Sequence, residues 1–144
     1  IAAQPAAAIR AEVPMAELPG VFDRAFPEVM RAVGDQGVPN TGPPFGFYPR
    51  MPGDTVAVLV GFPVAGPISA DGEVEPFDLP GGRVVTGTHV GPYDGLAQTY
   101  EELVAWSQAE GLTLAEGMWE TYVSDPSAEP DPNTWRTLIV WPLA

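Results

Sequence analysis

Few side chains in this sequence can carry chemistry, and their scarcity narrows the choice. One histidine, His89, stands just before Gly91-Pro92; there is no cysteine, and all six basic residues are arginines. Those absences remove cysteine nucleophiles, thiolate metal sites and paired-histidine metal ligation. No Ser-His-Asp arrangement, lysine nucleophile or nucleophile-elbow motif can be assembled around His89, which reads as structural. Gly91-Pro-Tyr-Asp-Gly is no phosphate loop, because no Lys-Ser/Thr follows it. The run Asp71, Glu73, Glu75 and Asp78 lacks the spacing and closing glutamate of a calcium loop and reads as solvated. Among the remaining carboxylates, Glu120 stands out, inside Met118-Trp-Glu-Thr-Tyr-Val. Strand alternation puts Met118, Glu120 and Tyr122 on one face and Trp119, Thr121 and Val123 on the other. A buried carboxylate prefers a compensating cation, and aromatic faces attract cations. A pairing with Arg136 across a hairpin, or solvation on an open sheet face, would satisfy Glu120 as well.

The chain that must position these groups has 144 residues, 45% of them hydrophobic, which is enough for one core and reads as a single domain over 1–144. Nineteen acidic residues give a formal charge of -13, which disfavours direct binding to nucleic acid. The apolar stretch 56–65 is about half of the roughly 20 residues a membrane-spanning helix needs, and no signal peptide pattern is visible. A cytoplasmic protein without metal or cofactor is the expectation.

The patterning alternates strands and helices. Residues 7–13 read as a half-buried strand ended by Pro14. Phe22, Phe26, Val29, Met30 and Val33 recur at helical spacing before Gly37, with Pro27 implying a kink or a helix that starts near Phe26. Residues 44–49 are extended, and Met51-Pro-Gly-Asp turns into the β-prone 55–62. The second half repeats this: a strand over 83–89, Asp94 as cap for a helix with Leu96, Tyr100, Leu103 and Val104, Gly111 as its stop, then strands over 118–123 and 135–141. A shift of 74 residues pairs Phe22 with Leu96, Phe26 with Tyr100, Val29 with Leu103, Gly37 with Gly111, Phe45 with Trp119 and Tyr48 with Tyr122. With five more residues, Leu59 matches Leu138, Val60 Ile139, Phe62 Trp141 and Pro63 Pro142. The reading is an α+β fold: a tandem duplicated β-α-β-β unit with pseudo-twofold symmetry and antiparallel sheets. The first repeat spans about 7–65, the linker 66–82 and the second repeat 83–144, with a ligand groove between the repeats and both helices on the convex side.

With those segments in place, the chain resembles the GyrI-like family, the small-molecule-binding domain also found as the effector half of multidrug-sensing transcription regulators. The resemblance rests on His89-Val-Gly-Pro-Tyr-Asp-Gly-Leu, Tyr100-Glu-Glu-Leu, Trp119-Glu-Thr-Tyr-Val-Ser-Asp-Pro and Trp135-Arg-Thr-Leu-Ile-Val-Trp-Pro-Leu. It implies a glutamate, here Glu120, buried in an aromatic groove that accepts bulky, planar, often cationic compounds. It also implies an alternative, since some stand-alone members hydrolyse strained cyclopropane-bearing alkylating natural products; Glu120 would then be catalytic, with Tyr122 or Tyr48 holding the leaving oxygen. A sensor role would need a DNA-binding domain outside these residues.

The expected groove is lined by Tyr48 and Tyr122 on the face of Glu120, with Met118, Trp119, Phe62 and Trp141 as further candidates and Tyr93 over the mouth. Gly46, the mate of Glu120 in the repeat, leaves open space opposite the carboxylate. Phe45 and Trp119 are expected to pack under the helices, with Tyr100 as a core residue. Hydrophobic aromatic or cationic small molecules are the expected partners, with neither nucleic acid nor membrane.

Overall fold

The computed structural model describes residues 3–50, 53–92, 95–123 and 131–144. Among these residues seven strands and two α-helices follow one another as β1 (Gln4–Val13), α1 (Leu18–Asp35), β2 (Phe45–Tyr48), β3 (Val56–Pro63), β4 (Val74–Leu79), β5 (Val84–Val90), α2 (Leu96–Ala109), β6 (Met118–Tyr122) and β7 (Arg136–Pro142). The strands form one antiparallel sheet in the order β4-β1-β3-β2-β6-β7-β5. Outward from its centre, β2-β3-β1 on one side answers β6-β7-β5 on the other. At that centre Gly46 lies directly opposite Glu120. No helix among the described residues is long and apolar enough to cross a membrane.

Both helices end by the same chemistry. Gly37 and Gly111 have φ of 68° and 70°, a left-handed conformation that a Cβ disfavours. In each case the second and third residues after the helix close back on its last turn: Val38 N–H donates to the Val33 carbonyl and Gly37 N–H to Gly34, as Leu112 donates to Ser107 and Gly111 to Gln108. Helix α1 runs from Leu18 straight through Pro27, so it does not begin near Phe26. Pro27 and Asp23 both lie on the exposed face, where water can hydrate the Asp23 carbonyl that the proline leaves without a donor. The cap expected at Asp94, the turn at Met51-Pro52 and most of the 124–133 loop lie outside the described residues.

The span read as a linker contains a strand. β4 adds to the outer edge of β1, with Ile9 opposite Val74 and Gln4 opposite Leu79, and buries Val74 and Leu79. Three of the four carboxylates there are ion-paired rather than simply solvated. Arg10 bridges Glu75 at 3.1 Å, Arg31 reaches Asp71 at 3.4 Å, and Arg24 pairs with Glu73. Such exposed pairs stabilise weakly, so the docking of β4 rests mainly on its ladder and its two buried apolar residues.

The core lies on both faces of the sheet. On the helix side, Val21, Ala25, Val29, Ala32 and Val33 of α1 pack on Ala7, Ile9, Val58 and Val60, while Leu103 of α2 packs on Val85, Met118, Ile139 and Trp141. Met30, expected in the core, is exposed; Val21 and Ala25 take the inward positions, and Phe22 and Phe26 are turned toward the centre of the sheet. On the other face Phe45, Phe47, Leu59, Trp119 and Val140 bury one another with Ala6, Ala8 and Leu79. There Phe77 of β4 meets Phe47 of β2 at 5.0 Å between ring centroids, although β1 and β3 lie between those strands. Three strand spacings would hold them about 14 Å apart on a flat sheet. The sheet therefore curls toward its helix-free face, and the helices sit on the convex side.

Phe45 and Trp119 accordingly pack on the concave face and not beneath the helices. The cause is a phase error in assigning faces: both faces of these strands are apolar, so alternation alone did not identify the side on which the helices lie.

At Gly61 the backbone of β3 lies close against its ladder partner β1. A Cβ built on Gly61 would lie 1.8 Å from the Ala7 carbonyl oxygen. Gly61→Ala is expected to lose about 3 kcal/mol or more of stability, since backbone would have to move in the middle of the sheet. Urea unfolding monitored by tryptophan fluorescence checks this; an unchanged midpoint would show that the strands do not pass this closely.

Candidate functional site

Strand β6 delivers Glu120 to the centre of the sheet on its helix side, between α1 and α2. Its side chain is 6% exposed, deep for a carboxylate. The Tyr122 hydroxyl donates to Oε1 at 2.8 Å, and the Tyr100 hydroxyl, reaching down from α2, donates to Oε2. The Tyr48 hydroxyl approaches the same carboxylate from β2. Arg136 is in alternation with Leu138 and Val140, which pack on the concave face, and the carboxylate is held by phenols and not by a guanidinium.

Aromatic rings wall the remaining sides. Phe22 of α1 meets Tyr122 edge-on at 5.6 Å, Phe26 meets Tyr122 at 6.5 Å, and Phe62 stands edge-on to Phe26 at 5.7 Å. On the α2 side, Tyr100 and Trp141 form a T-shaped pair at 6.3 Å, and the Trp141 indole N–H donates to the Ala115 carbonyl at 2.7 Å. Met118 lies beneath Tyr100, its sulfur 3.9 Å from the hydroxyl. The space over Gly46 is filled: a Cβ there would come within 3.1 Å of the Phe22 ring and 3.0 Å of the Tyr122 hydroxyl. The opening expected opposite Glu120 is thus occupied by the chain's own Phe22.

Of the residues expected to line a groove, Tyr48, Tyr122, Met118, Gly46, Phe62 and Trp141 lie on the face of Glu120. Trp119 does not; it stacks near Phe47 on the concave side, with ring centroids 6.0 Å apart. Tyr93 lies outside the described residues. Tyr100, read as core, is a direct partner of Glu120, and Phe22 and Phe26 were missed as site residues. The register of the repeat held the signal, because Tyr100 is the mate of Phe26 and both overhang the centre. His89 is 9% exposed and fully engaged: Nε2–H donates to the Pro92 carbonyl at 2.8 Å, and Nδ1 is 2.7 Å from the Thr99 hydroxyl, tying β5 to the first turn of α2.

A separate open cleft of about 610 Å³ lies between β5 and α2, lined by Thr86, Thr88, Thr99, Glu102, Leu103 and Trp106. It is open to solvent, and its charged groups, Arg83 and Glu102, are both exposed. The buried carboxylate marks the better candidate site. No cluster of metal-ligating side chains occurs among the described residues.

Burial raises the pKa of Glu120 above its ordinary 4.5, opposed by the hydrogen bonds from Tyr100, Tyr122 and Tyr48 and, least, by His89. All three tyrosines are pushed up, first by their own burial and then by the Glu120 charge, and so remain protonated donors. The pocket is thus arranged around a buried carboxyl group that has three phenolic donors and, among the described residues, no ion-pair partner.

The family model for the GyrI-like small molecule binding domain matches residues 1–144, and the chain belongs to that family. The C-terminal domain of EcmrR superposes with a TM-score of 0.84 at 23% identity, covering 100% of this chain and 93% of that one. In the EcmrR-DNA complex the match has a TM-score of 0.82 at 23% identity, covering 99% of this chain but 55% of the regulator, so the chain spans about half its length. SAV2435 bound to tetraphenylphosphonium matches with a TM-score of 0.69 at 11% identity, over 100% of this chain and 90% of that one. A hydrolase from Listeria innocua matches at 0.65 and 13% identity, over 100% and 89%. No match was found among curated proteins.

A carboxyl group whose folded-state pKa is raised contributes stability that is fully present below the unfolded value of about 4.5 and is lost as pH rises through the folded value. Glutamine at this position cannot titrate. The melting temperature of wild type relative to Glu120→Gln should therefore fall as pH is raised from 4 toward neutrality; a constant difference would mean that the carboxyl is not shifted.

Proposed function

We propose that the domain binds bulky aromatic cations, with Glu120 as the counter-charge and Tyr48, Tyr100, Tyr122, Trp141, Phe22 and Phe62 as the aromatic wall. The single observation that carries this reading is a buried carboxyl group with three phenolic partners and no ion-pair partner among the described residues. Ionising that group in an apolar site is costly, and a desolvated guest cation supplies what the tyrosines do not. Aromatic faces contribute roughly 0.5 to 2 kcal/mol each toward such a guest. That SAV2435 binds tetraphenylphosphonium on a related fold supports the same ligand class. Because Phe22 fills the space over Gly46, the guest takes the position of that ring, and Phe22 swings aside on binding. A drug-sensing or sequestering role follows, sensing being the role that the match to half of a DNA-bound regulator supports.

The second reading is hydrolysis of a strained cyclopropane-bearing electrophile, supported by the raised pKa of Glu120 and by the fold shared with a protein named as a hydrolase. A carboxyl so poised is suited to general-base chemistry on a water that attacks the strained ring carbon; the ring C–C bond breaks, its electron pair passes to a conjugated carbonyl oxygen of the substrate, and Tyr122 hydrogen-bonds that oxygen as it takes up a proton. Mass spectrometry of a cyclopropane-bearing alkylator incubated with the protein separates the two readings: a water-addition product lost in Glu120→Gln, with binding retained, supports the enzyme.

For binding, titration with tetraphenylphosphonium and with neutral triphenylphosphine oxide is the direct measurement. The cation should bind more tightly, its affinity should rise with pH as Glu120 ionises, and Glu120→Gln should weaken it by about tenfold or more, roughly 1.4 kcal/mol. Equal affinity for the neutral compound would overturn the electrostatic reading.

A further inference from the structure

Beside Glu120 the helix side of the sheet carries one more polar row. Tyr122 lies opposite Thr137, and Thr137 opposite His89, next to the row of Gly46, Glu120, Ile139 and Gly87. Thr137 alternates with Ile139 and Trp141, whose side chains pack beneath α2, so it shares their face. It is fully buried, with 0% exposure, yet its hydroxyl has no hydrogen-bond partner among the described residues. The polar atoms around it are committed elsewhere: the Tyr122 hydroxyl to Glu120, and both ring nitrogens of His89 to Thr99 and Pro92.

A buried hydroxyl left unpaired is destabilising, and valine, of nearly the same shape, would fill the position without that cost. The threonine sits diagonally across the β6-β7 ladder from Glu120, an arrangement that separates side chains by roughly 7–8 Å, a span that one ring system bridges. Its free oxygen lone pairs and the carboxylate therefore address two edges of one guest.

Resting on the cation reading above, we propose that Thr137 is a specificity-determining residue of the Glu120 site: its hydroxyl accepts a hydrogen bond from an N–H of the bound cation. The site would then favour nitrogen cations that carry N–H groups over cations of similar bulk that carry none. The donor belongs to the guest because Glu120 already selects positive charge, and an N–H on a charged nitrogen system is a strong donor.

The test compares wild type, Thr137→Val, Thr137→Ser and Glu120→Gln, with ethidium as a cation bearing amino N–H groups and tetraphenylphosphonium as one bearing none. Thr137→Val should raise the melting temperature of the unliganded protein by about 3 °C. It should weaken ethidium by roughly tenfold, the worth of one charge-assisted hydrogen bond, and leave tetraphenylphosphonium within about twofold. Thr137→Ser, which keeps the hydroxyl, should retain ethidium affinity. A lower melting temperature in Thr137→Val would show that the hydroxyl is already bonded in the free protein and would overturn the proposal, as would equal loss for both cations or wild type that binds only tetraphenylphosphonium. Glu120→Gln separates this from the reading on which it rests: if it weakens both cations while Thr137→Val weakens neither selectively, only the role of Thr137 fails. If Glu120→Gln leaves both unchanged, or wild type binds neither, the cation reading fails and takes this one with it.

Discussion

The contact between the Glu120 carboxylate and the tyrosine hydroxyls constrains the rest of the molecule. Burying a carboxylate without a cation is tolerable only where several donors converge on it, and here they come from three separate elements: Tyr48 on β2, Tyr122 on β6 itself and Tyr100 on α2. Holding three phenols on one carboxylate requires that β2 and β6 be paired in a single register and that α2 lie at one height above them. The junction of the two half-sheets and the site are in this sense one structure.

The same junction explains the curvature. Strands β2 and β6 are the two shortest in the sheet, and their concave face is covered by Phe45, Phe47 and Trp119, with Phe77 folded over from β4. Curling buries these rings without any helix. On the convex side the curl splays α1 and α2 apart over the centre, which leaves room between them for a row of aromatic side chains. The concave packing of Trp119 and the convex aromatic cluster thus share one junction, the β2-β6 ladder.

Much of this was legible in the residues. The helices were visible because Gly37 and Gly111 mark their ends and because apolar residues recur at a period that only a helix satisfies. The pairing of Gly46 with Glu120 was implicit in the shift of 74 residues, since a twofold through the centre of a sheet makes mates into neighbours. The face assignment was not legible. Strands such as Val56–Pro63 are apolar on both sides, so alternation gives the two sets of side chains but not which set meets the helices. β4 was hidden for a related reason: Val74-Glu-Pro-Phe-Asp-Leu mixes charge and proline as an edge strand does, and that composition also describes a loop. The site roles of Tyr100 and Phe22 depend on where the helices cross the sheet, which no local pattern encodes.

The asymmetry at the centre carries the last step. A twofold arrangement with a carboxylate on both central strands would place two charges within one ring's width, and neither would readily ionise. A glycine on both would leave no charge for a guest to answer. With glutamate on β6 and glycine on β2, the charge stands on one side and a flat, side-chain-free strand on the other, and Phe22 covers that strand in the free protein. The aromatic ring that the chain places over Gly46 has the shape and polarity of part of an aromatic guest but not its charge. On the proposed reading, a cation that replaces Phe22 would keep the packing on the backbone and add a counter-charge for Glu120.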